Sequence, residues 1–435
     1  MGSSFLEAVV FLRSIWRASV VLPVALCTTL AACRDDTTAP IPNDPNAIAV
    51  AYCAAQAPIW LAFQDGDGAW VRALPDVSGS TTTFRHEFSS NRGAVASVTP
   101  LFSGEFTLLR VLYGTPAELS TEGDTASADC VDASKTLGGS VTGVAATDFA
   151  QINLGVFNRS SVNPQLGTDF SLDHVPTGPQ DLLATRSRQE ADGTLGLRLI
   201  LRRQLDLPNG ATIPALDFNS SEAFAPATPN VTIENGLPAF NTTELRTSNG
   251  QFALPFDGNQ APSAGTRRYF AIPESKLQPG DVQLLHLSSD GADRTVDVYY
   301  HTPTDRTMRF GASPIPPAVS IIGTGPALRL RAHFVPQDDY DRLTSVVYEQ
   351  PSTPLFASLS MTPTYATRAG SSDIDVPDLL LVPGFDPSWA LSRGAASILW
   401  TAVRQGGTLP LGRNPVPFDG AIRRTNVTQQ VMTLP

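Results

Sequence analysis

Apolar and polar residues alternate one for one through most of this chain. A period of two leaves little choice of secondary structure, because successive side chains of a strand point to opposite faces. Phe84, His86 and Phe88 fall on one face of residues 83–88, with Arg85 and Glu87 on the other. Leu328, Leu330, Ala332 and Phe334 alternate in the same way with Arg329, Arg331 and His333. The rhythm continues through 106–113, 195–205, 296–300 and 398–404, and no stretch of a dozen residues holds a capped helical period. Turns are plentiful, with 33 Gly and 36 Pro in 435 residues. Such a chain is expected to be all-β, built as several tandem β-sandwich domains.

At 42% hydrophobic and 16% charged, the chain has enough apolar surface for packed cores. Its formal net charge of -11 and its lack of any basic run beyond Arg-Arg argue against a nucleic-acid partner. The expected order is a signal segment over 1–32, a flexible polar linker over 33–47, and four β units over 48–132, 134–227, 228–303 and 304–435. In the first unit, Asp65-Gly66-Asp67-Gly68 between Trp60-Leu61-Ala62-Phe63 and Trp70-Val71-Arg72 predicts a hairpin.

The amino terminus reads as an address. Arg13 and Arg17 precede the apolar stretch 20–26, which is too short and too interrupted by Pro23 to span a bilayer. It ends in Leu30-Ala31-Ala32-Cys33, which resembles a bacterial lipobox. That resemblance implies cleavage before Cys33, lipidation of this residue and anchoring to a membrane, since two or more acyl chains hold stably where one does not. The residue after Cys33 is Arg34, which by the same resemblance favours the outer membrane of the cell envelope. The polar, Pro-rich residues 34–45 suit a tether. With Cys27 removed and Cys33 lipidated, Cys53 and Cys130 remain, and in an exported chain they are expected to pair as a structural disulfide. Chain entropy puts its stabilisation at roughly 4 kcal/mol, an upper figure because strain subtracts from it.

Within 134–227, Gly139-Ser140-Val141-Thr142-Gly143-Val144 is followed by Ile152-Asn153-Leu154-Gly155 and then by Phe170-Ser171-Leu172-Asp173-His174-Val175-Pro176-Thr177-Gly178. This pattern resembles the carboxypeptidase-regulatory, transthyretin-like β-sandwich. The resemblance implies a Phe-x-Leu strand that turns at Val-Pro-x-Gly into an antiparallel return strand, in a non-catalytic accessory module. With 28 Arg against 2 Lys, the whole chain also resembles lipoproteins of high-GC bacteria, which supplies no function.

Catalytic signatures are sparse. There is no Gly-x-Ser-x-Gly elbow, and His86, His174, His286, His301 and His333 stand singly, without the helical spacing of a zinc peptidase. No metal or other cofactor is therefore expected. Calcium is the one cation the acidic loops 65–68, 338–341 and 371–378 could hold, although solvated turns are the simpler reading. Trp60 and Trp70 flank one hairpin and are the candidate ligand-binding pair, because flat aromatic rings stack on sugars; core packing is the plainer role for them. The expectation is a non-catalytic envelope lipoprotein displaying β-sandwich modules for structural or protein-partner interaction. The alternative is a surface glycan-binding protein that assists polysaccharide uptake or breakdown.

Overall fold

The computed structural model describes residues 46–435 except 102–103, 121–133, 156–157, 191–194, 235–238, 255–264, 351–352 and 411–415. The signal segment, Cys33, nearly all of the linker and Cys130 lie outside the described residues. The chain is built almost wholly of strands, as expected. The first stretch holds β1 (Ala47–Cys53), β2 (Trp60–Asp65), β3 (Trp70–Arg72), β4 (Asp76–Ser78), β5 (Thr81–Glu87), β6 (Gly93–Leu101) and β7 (Phe106–Gly114). Asp65-Gly66-Asp67-Gly68 forms the predicted β2–β3 hairpin, with Gly66 at φ +56°. Helix α1 (Pro116–Leu119) follows, started by a Thr115–Glu118 capping box and by Pro116, whose missing N–H is no loss at a helix start.

The second stretch holds β8 (Ser134–Thr142), β9 (Phe149–Leu154), β10 (Asn158–Val162), β11 (Asp169–Pro176), β12 (Gln180–Gln189), β13 (Leu195–Leu205) and β14 (Thr212–Asp217). It is a β-sandwich. Sheet β10-β9-β12-β13 faces sheet β11-β8-β14 over a core that includes Leu137, Ile152, Phe170, Leu172, Leu182 and Ile200. Phe170 and Leu172 point inward, as their spacing requires. The Val-Pro-x-Gly turn does something other than expected, since β11 and β12 belong to opposite sheets. A register shift between Leu172 and Val175, His174 at φ +57° and Gly178 at φ +87° bend the chain from one layer into the other.

The remaining strands are β15 (Asn230–Ile233), β16 (Ala239–Thr247), β17 (Gly250–Leu254), β18 (Gly265–Arg268), β19 (Val282–Ser289), β20 (Arg294–Tyr300) and β21 (Arg306–Met308). These are followed by β22 (Ala318–Ile322), β23 (Arg329–His333), β24 (Leu343–Gln350), β25 (Leu355–Met361), helix α2 (Pro363–Ala369), β26 (Asp373–Asp375), β27 (Ser397–Gly407) and β28 (Ile422–Thr433).

Twelve strands join in one sheet, in the order β17-β16-β19-β20-β28-β27-β24-β25-β7-β6-β2-β3. Pairing runs across the stretches that the sequence separates. β7 lies parallel to β25, with Leu109 beside Ala357, and β20 lies antiparallel to β28. At about 4.8 Å per strand, the sheet is about 50 Å wide before twist.

Smaller sheets cover it. On one face, β1-β5-β4 closes over Leu61, Phe63, Val95 and Leu112. On the other, β22-β23-β26 closes over Trp60, Ala96, Val111, Ala357 and Trp400. β2 and β6 are thus buried on both faces, which is why Trp60-Leu61-Ala62-Phe63 is continuously apolar. Sheet β18-β15-β21 covers Leu285, Leu287, Val296 and Tyr300. The β8–β14 sandwich docks against the far end through Leu183, Leu199, Leu245, Phe252 and Ile272. Arg203 staples this junction by reaching Asp181 at 3.2 Å and Asp281 at 2.5 Å.

Candidate functional site

A row of ionisable side chains lies on the face of the long sheet opposite the Leu285–Tyr300 core. The β19–β20 hairpin places His286 opposite Asp297, and the β20–β28 pairing places Asp297 opposite Arg423. Register and alternation together produce a row running directly across three strands. His286 Nδ1 lies 2.5 Å from Asp297 Oδ1, and Arg423 Nε donates to Asp297 Oδ2 at 2.7 Å. Glu244 on β16 sits close enough to act on both His286 and Asp297 and accepts a hydrogen bond from Gln251 on β17. Leu284, Tyr299, Leu409 and Ala421 pack beside the row, and the Asp297 side chain is only 2% exposed.

Electrostatics ties these groups to one another. Burial alone would raise the Asp297 carboxyl, but Arg423 and His286 outweigh it and hold the pKa at about 2. Burial alone would lower His286, but the Asp297 charge and hydrogen bond, helped by Glu244, leave it raised. Burial raises Glu244, against the opposing hydrogen bond from Gln251. Both Asp297 oxygens are occupied. These contacts tie β19, β20 and β28 together, side chain to side chain.

A pH dependence follows from the His286 shift. A raised folded-state pKa adds stability that is complete below the unfolded value near 6.5 and fades as pH rises through the folded value. The stability gap between the wild type and His286→Gln should therefore be larger at pH 5.5 than at pH 8.5 in urea titrations. An equal gap at both values would refute the assignment.

The residues singled out from sequence are dispersed. Trp60 is 2% exposed, donates from Nε1 to the Pro383 carbonyl at 3.2 Å and meets Phe385 edge-on at 5.1 Å. It has no free face for a sugar ring. Trp70 is half-buried and packs against the same core. Two further aromatic side chains, Tyr299 and Tyr300, are buried on opposite faces of β20. Cys53 ends β1 and is disulfide-bonded, while its expected partner Cys130 lies outside the described residues.

Several carboxylates of the acidic loops are spent on protein donors. Asp65 accepts from the Ser89 and Ser90 amides, and these and the serine hydroxyls hold its carboxyl well below the usual range despite the opposing effect of burial. Asp67 pairs with Arg92, Asp339 with Arg309, and Asp375 with Arg331. Among the described residues no group of three or more His, Cys, Asp or Glu side chains is arranged to hold a metal.

Among the histidines, His86 stacks on Phe63 at 4.9 Å, His174 is exposed, His301 contacts the Asp281 carbonyl and His333 contacts Asp373. Sequence reasoning passed over the His286 row. The Asp290-Gly291 turn could have revealed the His286–Asp297 half of it, because a hairpin there brings the two into register.

No protein-family model matches the chain, and no curated protein matches it. Among solved structures, the chain is similar to "Crystal structure of chicken CNTN1 FN1-FN3 domains" at 6% identity, covering 67% of this chain and 96% of that one. The TM-score is 0.17, too low to build an argument on. Among the described residues no helix is long and apolar enough to cross a membrane.

Proposed function

We propose that this chain is a non-catalytic, lipid-anchored envelope protein whose joined β layers form a stiff platform for a protein partner. The observation that carries the reading is the continuous twelve-stranded sheet, which draws strands from residue 60 to residue 433 into one body. Strands hydrogen-bonded on both sides cannot hinge as beads on a linker do, so surfaces displayed along such a sheet keep fixed spacing. In this reading the His286–Asp297–Arg423 row is a structural clamp, in which Asp297 spends both carboxylate oxygens on neighbouring strands. In this reading the β8–β14 sandwich is a transthyretin-like spacer, and a Cys53–Cys130 disulfide closes the first stretch. Leu30-Ala31-Ala32-Cys33 supplies the membrane anchor, with the outer membrane as its destination.

Two experiments test this. Metabolic labelling with palmitate should mark the wild type and vanish in Cys33→Ser, which should also leave the membrane fraction; persistence of the label would refute the anchor. Turnover of ester, glycoside or peptide substrates that disappears in His286→Gln would overturn the non-catalytic role.

A further inference from the structure

Strand β28 is only half enclosed. Its first part, Ile422 to Asn426, pairs with β20, whereas its pairing with β27 runs on from Arg423 to Thr433. The Val427 amide makes the last bond on the β20 side, to the Asp293 carbonyl at 2.7 Å. Backbone direction alternates along a strand, so the N–H and C=O groups of Gln429, Val431 and Thr433 point the same way as that amide. No described residue pairs with them there. All three residues are exposed, Val431 at 67%.

We propose that this edge pairs with the same edge of a second copy, forming a two-fold symmetric dimer. Natural edge strands are guarded by lysines, prolines, bulges or covering loops. Between Asn426 and Leu434 this one has no lysine, proline or bulge, no loop among the described residues pairs with it beyond Val427, and its β27 pairing is regular throughout. Charge selects the occupant. Residues 425–435 carry no charged side chain, on a chain whose net charge is -11. Along this stretch two copies can meet without bringing side-chain charges together.

The stretch is also self-complementary. An antiparallel pair centred on Val431 places that residue opposite its own counterpart and Gln429 opposite Thr433. Every outward group then finds a partner, giving about six backbone hydrogen bonds. So short a contact buries less than the roughly 1,200 Å² of a stable interface, so the dimer is reversible, with a Kd in the micromolar range.

Sedimentation velocity on the full chain in density-matched detergent, from about 1 to about 200 μM, tests this. The wild type should shift from monomer to dimer with concentration. Deuterium uptake at the amides of 429, 431 and 433 should fall in step. Val431→Pro removes an outward N–H while sparing the β27 ladder, and should weaken association at least tenfold. Val431→Lys sets like charges face to face and should do the same without touching the backbone. Val416→Lys, at an exposed valine elsewhere, should leave association unchanged. A wild type that stays monomeric throughout would overturn the proposal. So would association undiminished by both Val431 variants, or protection of the edge only when a different protein is added.

Discussion

Replacing Asp297 by Ala should cost about 3 kcal/mol of folding stability, among the largest effects of any single polar substitution in this chain. The carboxylate is the hydrogen-bonded counter-ion of Arg423 and the partner of His286, and its removal leaves the Arg423 guanidinium unpaired and takes away the charge that raises His286. Removing one partner of a buried pair typically costs about 3–5 kcal/mol, because the remaining charge is desolvated and unpaired. The lower end applies here, since the His286 and Arg423 side chains are only partly buried.

Asp297→Asn keeps the shape and loses the charge, so it should fall between Asp297→Ala and the wild type. The triple replacement of His286, Asp297 and Arg423 by apolar residues of similar volume should be far milder than Asp297→Ala, because it leaves nothing unpaired. Urea titration of the three variants makes the comparison. If the triple variant is the worst of them, the row stabilises by net attraction rather than by avoiding an orphaned charge.

The Asp297 contribution also has a pH signature. A folded pKa held at about 2, below the unfolded value near 4, supplies stability that is complete above pH 4 and lost as pH falls toward 2. His286 acts in the opposite sense at the alkaline side of its range. The row therefore contributes most between about pH 4 and pH 6.

Strand content was legible because alternation is a local signal. Leu328, Leu330 and Ala332 point inward, and Arg329 and Arg331 toward solvent, as their spacing requires. Which strand lies beside which was not legible. Nothing near Leu109 indicates that its neighbour is Ala357, and a parallel pair needs no turn that a reader could recognise. The separation into units between residues 48 and 435 follows breaks in the covalent chain, whereas hydrogen bonding ignores those breaks at β7–β25 and β20–β28.

The Val-Pro-x-Gly turn marks a change of direction correctly but does not say whether the next strand pairs with the last or crosses to the facing layer. The candidate row divides in the same way. His286 and Asp297 belong to one hairpin, while Arg423 lies 126 residues beyond Asp297 and arrives only through the β20–β28 pairing.

Trp60 shows why tertiary context decides what an aromatic residue does. Its side chain sits where residues 60–113 and 328–434 share a single core, with Ala96 and Leu109 from the first stretch and Leu359 and Trp400 from the last. Trp60→Ala should therefore cost about 3–5 kcal/mol, the usual loss for a large aromatic truncated in a packed interior. Because the core is common property, calorimetry should show both stretches melting together at a lower temperature, not one domain loosening ahead of the other.

Trp70→Ala, at a half-buried site on the rim of that core, should cost about 1 kcal/mol. A sugar-stacking platform makes the reverse forecast: both variants would keep wild-type stability and lose a ligand. If Trp60→Ala melts within 1 °C of the wild type, the shared core is wrong, and with it the rigid coupling of the first and last stretches on which the platform depends.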